Sequence, residues 1–572
     1  MAATRTTTPS VSKLKRAMDI DDILELMGSF GRYQRNLLLI VFMPVSFFVG
    51  FVMNLLLFQM VVPDHWCHVP GRENTPLTVE EWHAFTIPRS NETGKFSSCS
   101  MYEIDWKNGA NTSYSVNGEV RGCSDGWEFD TTQFTTTVAS SLGWVCDRGH
   151  YSHHTLSVAM AGNAVGTLLF PLVADKYFGR RFMYYVSLAI HVVTTLPLLW
   201  VTSATVHMGF RFLQGLGFET YYLMPYVIYM EVIPPERRAL AVMLSFLAWT
   251  FGMCFSALVA WLVPNWTHLA IISIIPPLLG FLYWRYLPES PRWLLAKGKV
   301  HQCADILLRI SETNGMTNLS RVEVEAQLQV MMEHLPVDQP LTAVKDYPKL
   351  RVRAVTLVFM SFMSYVVYGV TMLSMSVFSN NFLAHFVLSL FELPSNFTGC
   401  IVTHFLGRRF MAYSNYLLLA IFCFVAPFCS HNEWLLMTVV GFAKLFSTSA
   451  LYVVYLMSSE VLPTPVRTSG TGVVIVFGMI GMAVSPHVLH YGADGAAHYW
   501  ILLALTVASA ACMIPMPETI GLQLPQTFQD AEELGAGRPI TSWVHHWNLH
   551  RFMPPKEPQT EKLDKDLLLE PS

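Results

Sequence analysis

Pro171-Leu-Val-Ala-Asp175-Lys-Tyr-Phe-Gly179-Arg180-Arg181 returns in the second half of the chain as Gly399-Cys-Ile-Val-Thr403-His-Phe-Leu-Gly407-Arg408-Arg409. A second pair keeps nearly the same interval. Glu231-x-x-Pro234-xxx-Arg238 returns as Glu460-x-x-Pro463-xxx-Arg467. Two patterns sharing an offset mark an internal duplication, and each copy adjoins a long apolar run.

Composition says what those runs are. Of 572 residues, 14% are charged and 52% are hydrophobic, with a mean hydropathy of +0.37. Soluble chains carry about 25% charge, so this chain cannot clothe a water-facing surface but can face lipid. Runs long enough to cross a bilayer, about 20 residues each, fall near 37–62, 152–173, 183–201, 207–231, 239–262, 268–287, 354–375, 382–403, 411–429, 433–457, 470–489 and 498–516. They must be helices, because an open strand edge leaves polar groups unsatisfied in hydrocarbon. The fold class is an all-α membrane protein: twelve transmembrane helices in two six-helix pseudo-repeats. With 37 basic against 41 acidic residues, net −4, no surface for nucleic acid is expected.

Basic residues set the orientation. Arg5, Lys13, Lys15, Arg16, Arg32 and Arg35 precede the first run, and Lys176, Arg180, Arg181, Arg237, Arg238, Arg408, Arg409 and Arg467 follow even-numbered ones. The intervening short loops (202–206, 263–267, 376–381, 430–432, 490–497) carry no Lys or Arg. Positive loops stay cytoplasmic, so both termini are expected there. The chain then divides into a cytoplasmic segment 1–36, a first helix 37–62, an extracellular loop 63–151, helices two to six over 152–287, a cytoplasmic loop of amphipathic helices over 288–353, helices seven to twelve over 354–516, and a cytoplasmic tail 517–572.

The long loop holds Cys67, Cys99, Cys123 and Cys146, and the sequons Asn91-Glu-Thr93 and Asn111-Thr-Ser113. On an oxidising face these cysteines form two disulfides in one of three pairings. Asn91 and Asn111 are expected to carry glycans.

The parallel duplication, with Gly-Arg-Arg in each 2–3 loop and Arg211-Phe-Leu-Gln214-Gly215-Leu-Gly217 in the fourth span, resembles the major facilitator superfamily. Narrower similarities run nearly end to end: Pro63-Asp-His-Trp-Cys67, Cys123-Ser-Asp-Gly-Trp-Glu-Phe-Asp130, Val145-Cys-Asp-Arg148, Leu287-Pro-Glu-Ser-Pro-Arg-Trp-Leu294, Glu392-Leu-Pro394 and Pro517-Glu-Thr-Ile-Gly521. This ordered set resembles the organic cation, carnitine and organic anion transporters, solute carrier family 22. It implies a multi-pass plasma-membrane secondary transporter or facilitator working by alternating access, without cofactor and not an enzyme. Invertebrate organic cation, carcinine and β-alanine transporters are the similar kind.

Charges deep in the spans are the site candidates, since each costs about 2.5–3.5 kcal/mol to insert. Glu219, Glu392 and Lys444 are such charges. Lys444 with one of the acids equally makes an ion pair that holds helices together. Glu219, Tyr222 and Tyr226 recur at i, i+3 and i+7, one helical face, where an acid beside aromatic rings can hold an ammonium group. The resemblance adds Tyr368, Glu392 and Met479 as central-cavity positions. Met479 stands where relatives carry Asp or Arg, and Glu219 where cation transporters often carry Lys. Two acids and one base suit a small organic cation or zwitterionic amine, with organic anion transport or a non-transporting sensor as alternatives.

At the cytoplasmic face, Asp175, Arg180, Arg181, Glu231, Arg238, Glu289, Arg292, Arg408, Arg409, Glu460 and Arg467 are expected to pair and to bias one facing state over the other. Positive-inside topology alone also accounts for the arginines. No G-x-x-x-x-G-K-[ST] occurs, so no ATP-driven pump is indicated. His153-His154 and His545-His546 lack the further ligands of a metal site, and none is expected. Asp564-xxx-Leu568-Leu569 has the form of a dileucine sorting signal in a polar tail.

Overall fold

The computed structural model describes residues 20–28, 30–70, 72, 77–89, 96–107, 113–316, 320–333, 341–463, 466–491, 496–519, 522, 525 and 527–535. Asn91, Asn111, His545-His546 and the Leu568-Leu569 signal lie outside the described residues. A helix stands over each of the twelve expected runs: α1 (Arg32–Gln59), α2 (His150–Val173), α3 (Arg180–Leu198), α4 (Ala204–Val232), α5 (Pro235–Leu262), α6 (Trp266–Gly280), α7 (Pro348–Leu373), α8 (Asn381–Leu390 and Glu392–Leu406), α9 (Arg408–Val425), α10 (Glu433–Val461), α11 (Arg467–Tyr491) and α12 (Ala497–Met513). Among the described residues, eight helices are long and apolar enough to cross a membrane by length and composition. Of the other four, α3 and α4 are more polar, α8 is broken, and α12 has 17 residues.

Local chemistry sets where the helices begin and bend. Asn265, Asn380 and Asn432 cap α6, α8 and α10, each side chain accepting a backbone N–H of the first turn. Pro235 opens α5, where a missing N–H costs nothing. Pro44 has no N–H to return to Ile40, and α1 widens into a π turn over Leu38–Phe42.

The loop 63–151 forms a small domain at one end of the bundle, here the loop end. Strands β1 (His65–Cys67) and β4 (Trp127–Phe129) pair antiparallel, as do β2 (Ser100–Lys107) and β3 (Ser113–Gly122). Of the three possible cysteine pairings the structure has Cys67–Cys123 and Cys99–Cys146. The second bond ties the domain to the turn before α2. Trp82, Val69 and Met101 form its buried core.

Three apolar cores explain how the halves meet. At the loop end one core draws on both, from Phe51, Leu55 and Phe58 of α1 and Leu156 of α2 to Met372 of α7, Phe382 of α8 and Met437 of α10. Gln133 of the loop domain also donates to the Ser379 carbonyl and accepts from the Asn381 N–H. At the opposite, basic end, the first half has its own core with Ile23, Leu307 and Leu328. The second half has another, with Leu350, Met457 and Phe528. The bundle is therefore sealed at the loop end and divided at the basic end. Short helices Ile20–Leu26, Pro291–Ala296, Val300–Asn314 and Arg321–Glu333 pack beneath the first half.

Candidate functional site

Pro394 lacks the N–H that would return to the Leu390 carbonyl, and α8 breaks at Phe391. The break places Glu392 in the first turn of the second segment, where the helix dipole favours a carboxylate. Lys444, from the middle of α10, brings its Nζ to 3.1 Å from the Glu392 carboxylate, with side-chain exposures of 0% and 3%. Tyr368 of α7 lies beside Glu392, close enough to sense its carboxylate. Glu392 and Lys444 thus form a buried, charge-compensated pair within the second half, with the partly buried Tyr368 beside it.

The α4 stripe is arranged differently. Glu219, Tyr222 and Tyr226 share a face and are each partly exposed. Asn163 of α2 accepts the Glu219 N–H at 3.2 Å, and its amide also bonds the Glu219 side chain. No Lys or Arg pairs with Glu219 among the described residues; the cation of the fourth-span motif, Arg211, is two turns away, about 12 Å along the helix. Arg211 is sealed by Gln214 at 2.9 Å, Gln59 at 2.7 Å and His207 at 3.4 Å.

Around Glu219 stand more aromatics than the stripe alone supplies. Tyr222 and Tyr226 stack at 5.8 Å between ring centroids, Phe42 of α1 approaches both, and Trp249 of α5 meets Tyr222 edge-on. From the second half, Tyr365 and Tyr455 come close enough to feel the Glu219 charge. Tyr226 and Tyr455 approach one another across the division. Their interval along the chain is that of Glu231 and Glu460, so the repeat offset applied to Tyr226 finds Tyr455. Tyr455, in the last two turns of α10, is 37% exposed, and its approach to Tyr226 of the first half puts it at the division. Met479 is buried against Asn163, its Sδ 3.7 Å from the amide nitrogen.

At the basic end the charges close within each half. Arg180 lies 3.0 Å from Asp175 and 3.7 Å from Glu231. In the second half Arg408 lies 2.9 Å from Glu460. Arg181 stacks its guanidinium over Trp284 at 4.3 Å. Asp21 of the N-terminal segment gathers Arg238 at 3.1 Å and Arg292 at 2.7 Å. Arg467 donates to the Leu462 and Pro525 carbonyls.

Two carboxylates occupy equivalent positions here. Glu289 accepts the backbone N–H groups of Arg180 and Arg181 at the start of α3; Glu518 accepts those of Arg408 and Arg409 at the start of α9. Gly179 and Gly407 make this possible. Both have positive φ, +87° and +102°, and a Cβ at either would meet that carboxylate. Ser290 donates to Glu231 and Thr519 to Glu460, repeating the arrangement. Glu518 is a position that sequence reasoning singled out only as part of a motif, although it follows Glu289 at the interval that separates Glu231 from Glu460.

Over residues 109–530 the chain matches the family described as sugar (and other) transporter. It is 27% identical over 550 residues to the carcinine transporter of Drosophila melanogaster, covering 92% of this chain and 80% of that protein. The β-alanine transporter of the same organism is 28% identical over 544 residues, covering 90% and 89%. Organic cation transporter 1 of Caenorhabditis elegans is 25% identical over 531 residues, again covering 90% and 89%. The fold is similar to that of the xylose transporter XylE from E. coli in a partially occluded inward open conformation. That likeness has a TM-score of 0.56 at 14% identity, over 86% of this chain and all of that one.

Proposed function

Because this chain belongs to the sugar (and other) transporter family, within the major facilitator superfamily, we propose that it carries small organic cations or zwitterionic amines across the plasma membrane by alternating access, with both termini cytoplasmic. Compounds of the β-alanine, carcinine or carnitine kind fit, the first two being named in its relatives' descriptions. One observation carries the reading. Glu219 is a mid-span carboxylate with no cationic partner among the described residues, with Tyr222, Tyr365 and Tyr455 near enough to sense its charge and Tyr226 stacked on Tyr222.

In that setting an ammonium group receives both a counter-charge and aromatic faces, and the attraction is strengthened by the low-dielectric surround. An organic anion would need a free cation instead. Lys444 is 0% exposed and spent on Glu392, and Arg211 is sealed by amides. The sealed loop end and divided basic end support an inward-facing arrangement, from which rocking of the halves would expose Glu219 to the other side. The salt bridges Asp175–Arg180–Glu231 and Arg408–Glu460, each internal to a half, would travel as rigid parts in that motion, and their gating role lies in the partners each face meets on closure.

Uptake of radiolabelled amines, zwitterions and anions into proteoliposomes, at several membrane potentials, tests the reading. Saturable uptake of a cation or zwitterion supports it. Saturable uptake of anions alone, or of nothing in the panel, refutes it.

A further inference from the structure

Five of the chain's 20 histidines converge at one place. His150, His153 and His154 occupy the first two turns of α2, and His487 and His490 the last two of α11. These helices belong to opposite halves and meet along their length. The imidazole of His153 lies 4.4 Å from that of His490, centroid to centroid, and His154 lies 5.1 Å from His487 and 5.2 Å from His150. His150, His154, His487 and His490 are exposed, and His153 is half-buried. No Asp or Glu pairs with any of the five among the described residues. The flanking group is the Tyr151 ring, 4.4 Å from His150.

Chance packing does not gather imidazoles at i, i+4 on one helix opposite i, i+3 on another. Apolar burial does not explain it either, since four of the five rings are in contact with the surroundings. Imidazole is the commonest protein ligand for transition metals. The His153-His154 pair alone lacks further ligands, but the fold supplies them from the other half of the chain. Among the described residues one group, His65 with Cys99 and Cys146, has its ligand atoms within 4.8 Å of one another, and it is disqualified because those two sulfurs form a disulfide; the five imidazoles lie in neighbouring pairs and must turn to bring their nitrogens onto one cation.

We propose that His153, His154, His487 and His490, with His150 beside them, form a site at the loop end for a divalent transition metal such as Zn²⁺. The four exposed imidazoles can turn about their side-chain torsions toward the half-buried His153, so facing pairs at these separations can direct nitrogens to one cation at about 2.0–2.1 Å each. His154 neighbours both His150 and His487, so it can share a cation within α2 or across to α11. Binding across the interface ties the halves together where they are already sealed. Under the alternating-access reading, metal then holds the loop end shut and arrests transport without entering the Glu219 site; the binding itself does not depend on that reading.

The test uses purified full-length protein in nanodiscs at pH 7.4, with Zn²⁺ as the probe in a competition titration against a fluorescent chelator. Wild type is expected to bind Zn²⁺ with micromolar affinity and to gain thermal stability. The variants His153→Gln/His154→Gln and His487→Gln/His490→Gln are each expected to lose about tenfold or more in affinity, while their metal-free unfolding midpoints match wild type. Millimolar binding by wild type overturns the site. Undiminished affinity in the His487→Gln/His490→Gln variant overturns the interface, by showing that α2 alone binds. Variants whose metal-free midpoint drops are replaced by carbethoxylation of the wild-type histidines, which must abolish Zn²⁺ binding; binding that survives the modification counts against the proposal.

Discussion

Lys444 Nζ stands 3.1 Å from the carboxylate of Glu392, and neither side chain is more than 3% exposed. The two charges cancel inside the second half. Of the two acids deep in the spans, this leaves Glu219 as the one with no cationic partner among the described residues. The balance of two acids and one base read along the chain thus becomes, in space and among the described residues, one ion pair and one carboxylate that has an amide neighbour but no counter-charge.

Breaking that pair on one side strands a buried charge, which costs about 3–5 kcal/mol. Glu392→Gln or Lys444→Met alone is therefore expected to fold poorly, with a lowered unfolding midpoint and reduced surface expression. Glu392→Gln/Lys444→Met removes both charges and is expected to recover most of the loss. Scanning fluorimetry on the four proteins completes the cycle, and additive losses in the double variant would count against a pair.

Glu289 and Glu518 each accept two backbone N–H groups at a helix start. Charge-assisted bonds of this kind contribute about 1.5–3 kcal/mol. Glu289→Ala and Glu518→Ala are each expected to lower thermal stability by a similar amount, because the sites are repeat equivalents. A loss confined to one half would contradict the equivalence.

Asp175 is 53% exposed on its side chain, so its contact with Arg180 adds little to stability. Asp175→Asn is expected to keep the unfolding midpoint while slowing turnover at matched surface density, if closure of the basic end recruits this carboxylate. Turnover equal to wild type would reduce the Gly-Arg-Arg pattern to a topology signal.

On the loop domain, Asn91 and Asn111 are expected to carry glycans, and non-reducing peptide mapping is expected to recover Cys67–Cys123 and Cys99–Cys146. Glycosidase shifts that persist in Asn91→Gln/Asn111→Gln would point to Asn265, in the further sequon Asn265-Trp-Thr267, or to an inverted topology.

Much of this was legible in the chain because it depends on local chemistry. Apolar length marked the twelve helices, and the offset between the Gly-Arg-Arg turns marked the halves. The i, i+3, i+7 spacing placed Glu219, Tyr222 and Tyr226 on one face. What depends on distant partners was not legible. Nothing along the chain says which acid Lys444 takes, since both candidates sit at suitable depth. Tyr455 and Glu518 were within reach of the repeat offset, whereas Tyr365 and Asn163 come together only through packing. The meeting of His153 with His490 needs α2 against α11, which no local pattern reports.

The central claim is that Glu219 holds the cationic group of the substrate. Losing such a charge-assisted contact in a desolvated site costs about 1.5–3 kcal/mol, or roughly ten- to hundredfold in affinity. Tyr222 makes a 3.2 Å hydroxyl contact with Ser245, so Tyr222→Phe keeps the ring face and forgoes only that bond. The decisive measurement is concentration-dependent uptake of the best amine substrate by Glu219→Gln, Tyr222→Phe and Tyr222→Ala at matched surface expression. The expected result is a half-saturating concentration raised about ten- to hundredfold by Glu219→Gln, changed little by Tyr222→Phe, and raised clearly by Tyr222→Ala. An unchanged half-saturating concentration in Glu219→Gln, with the protein folded and at the surface, would contradict the account.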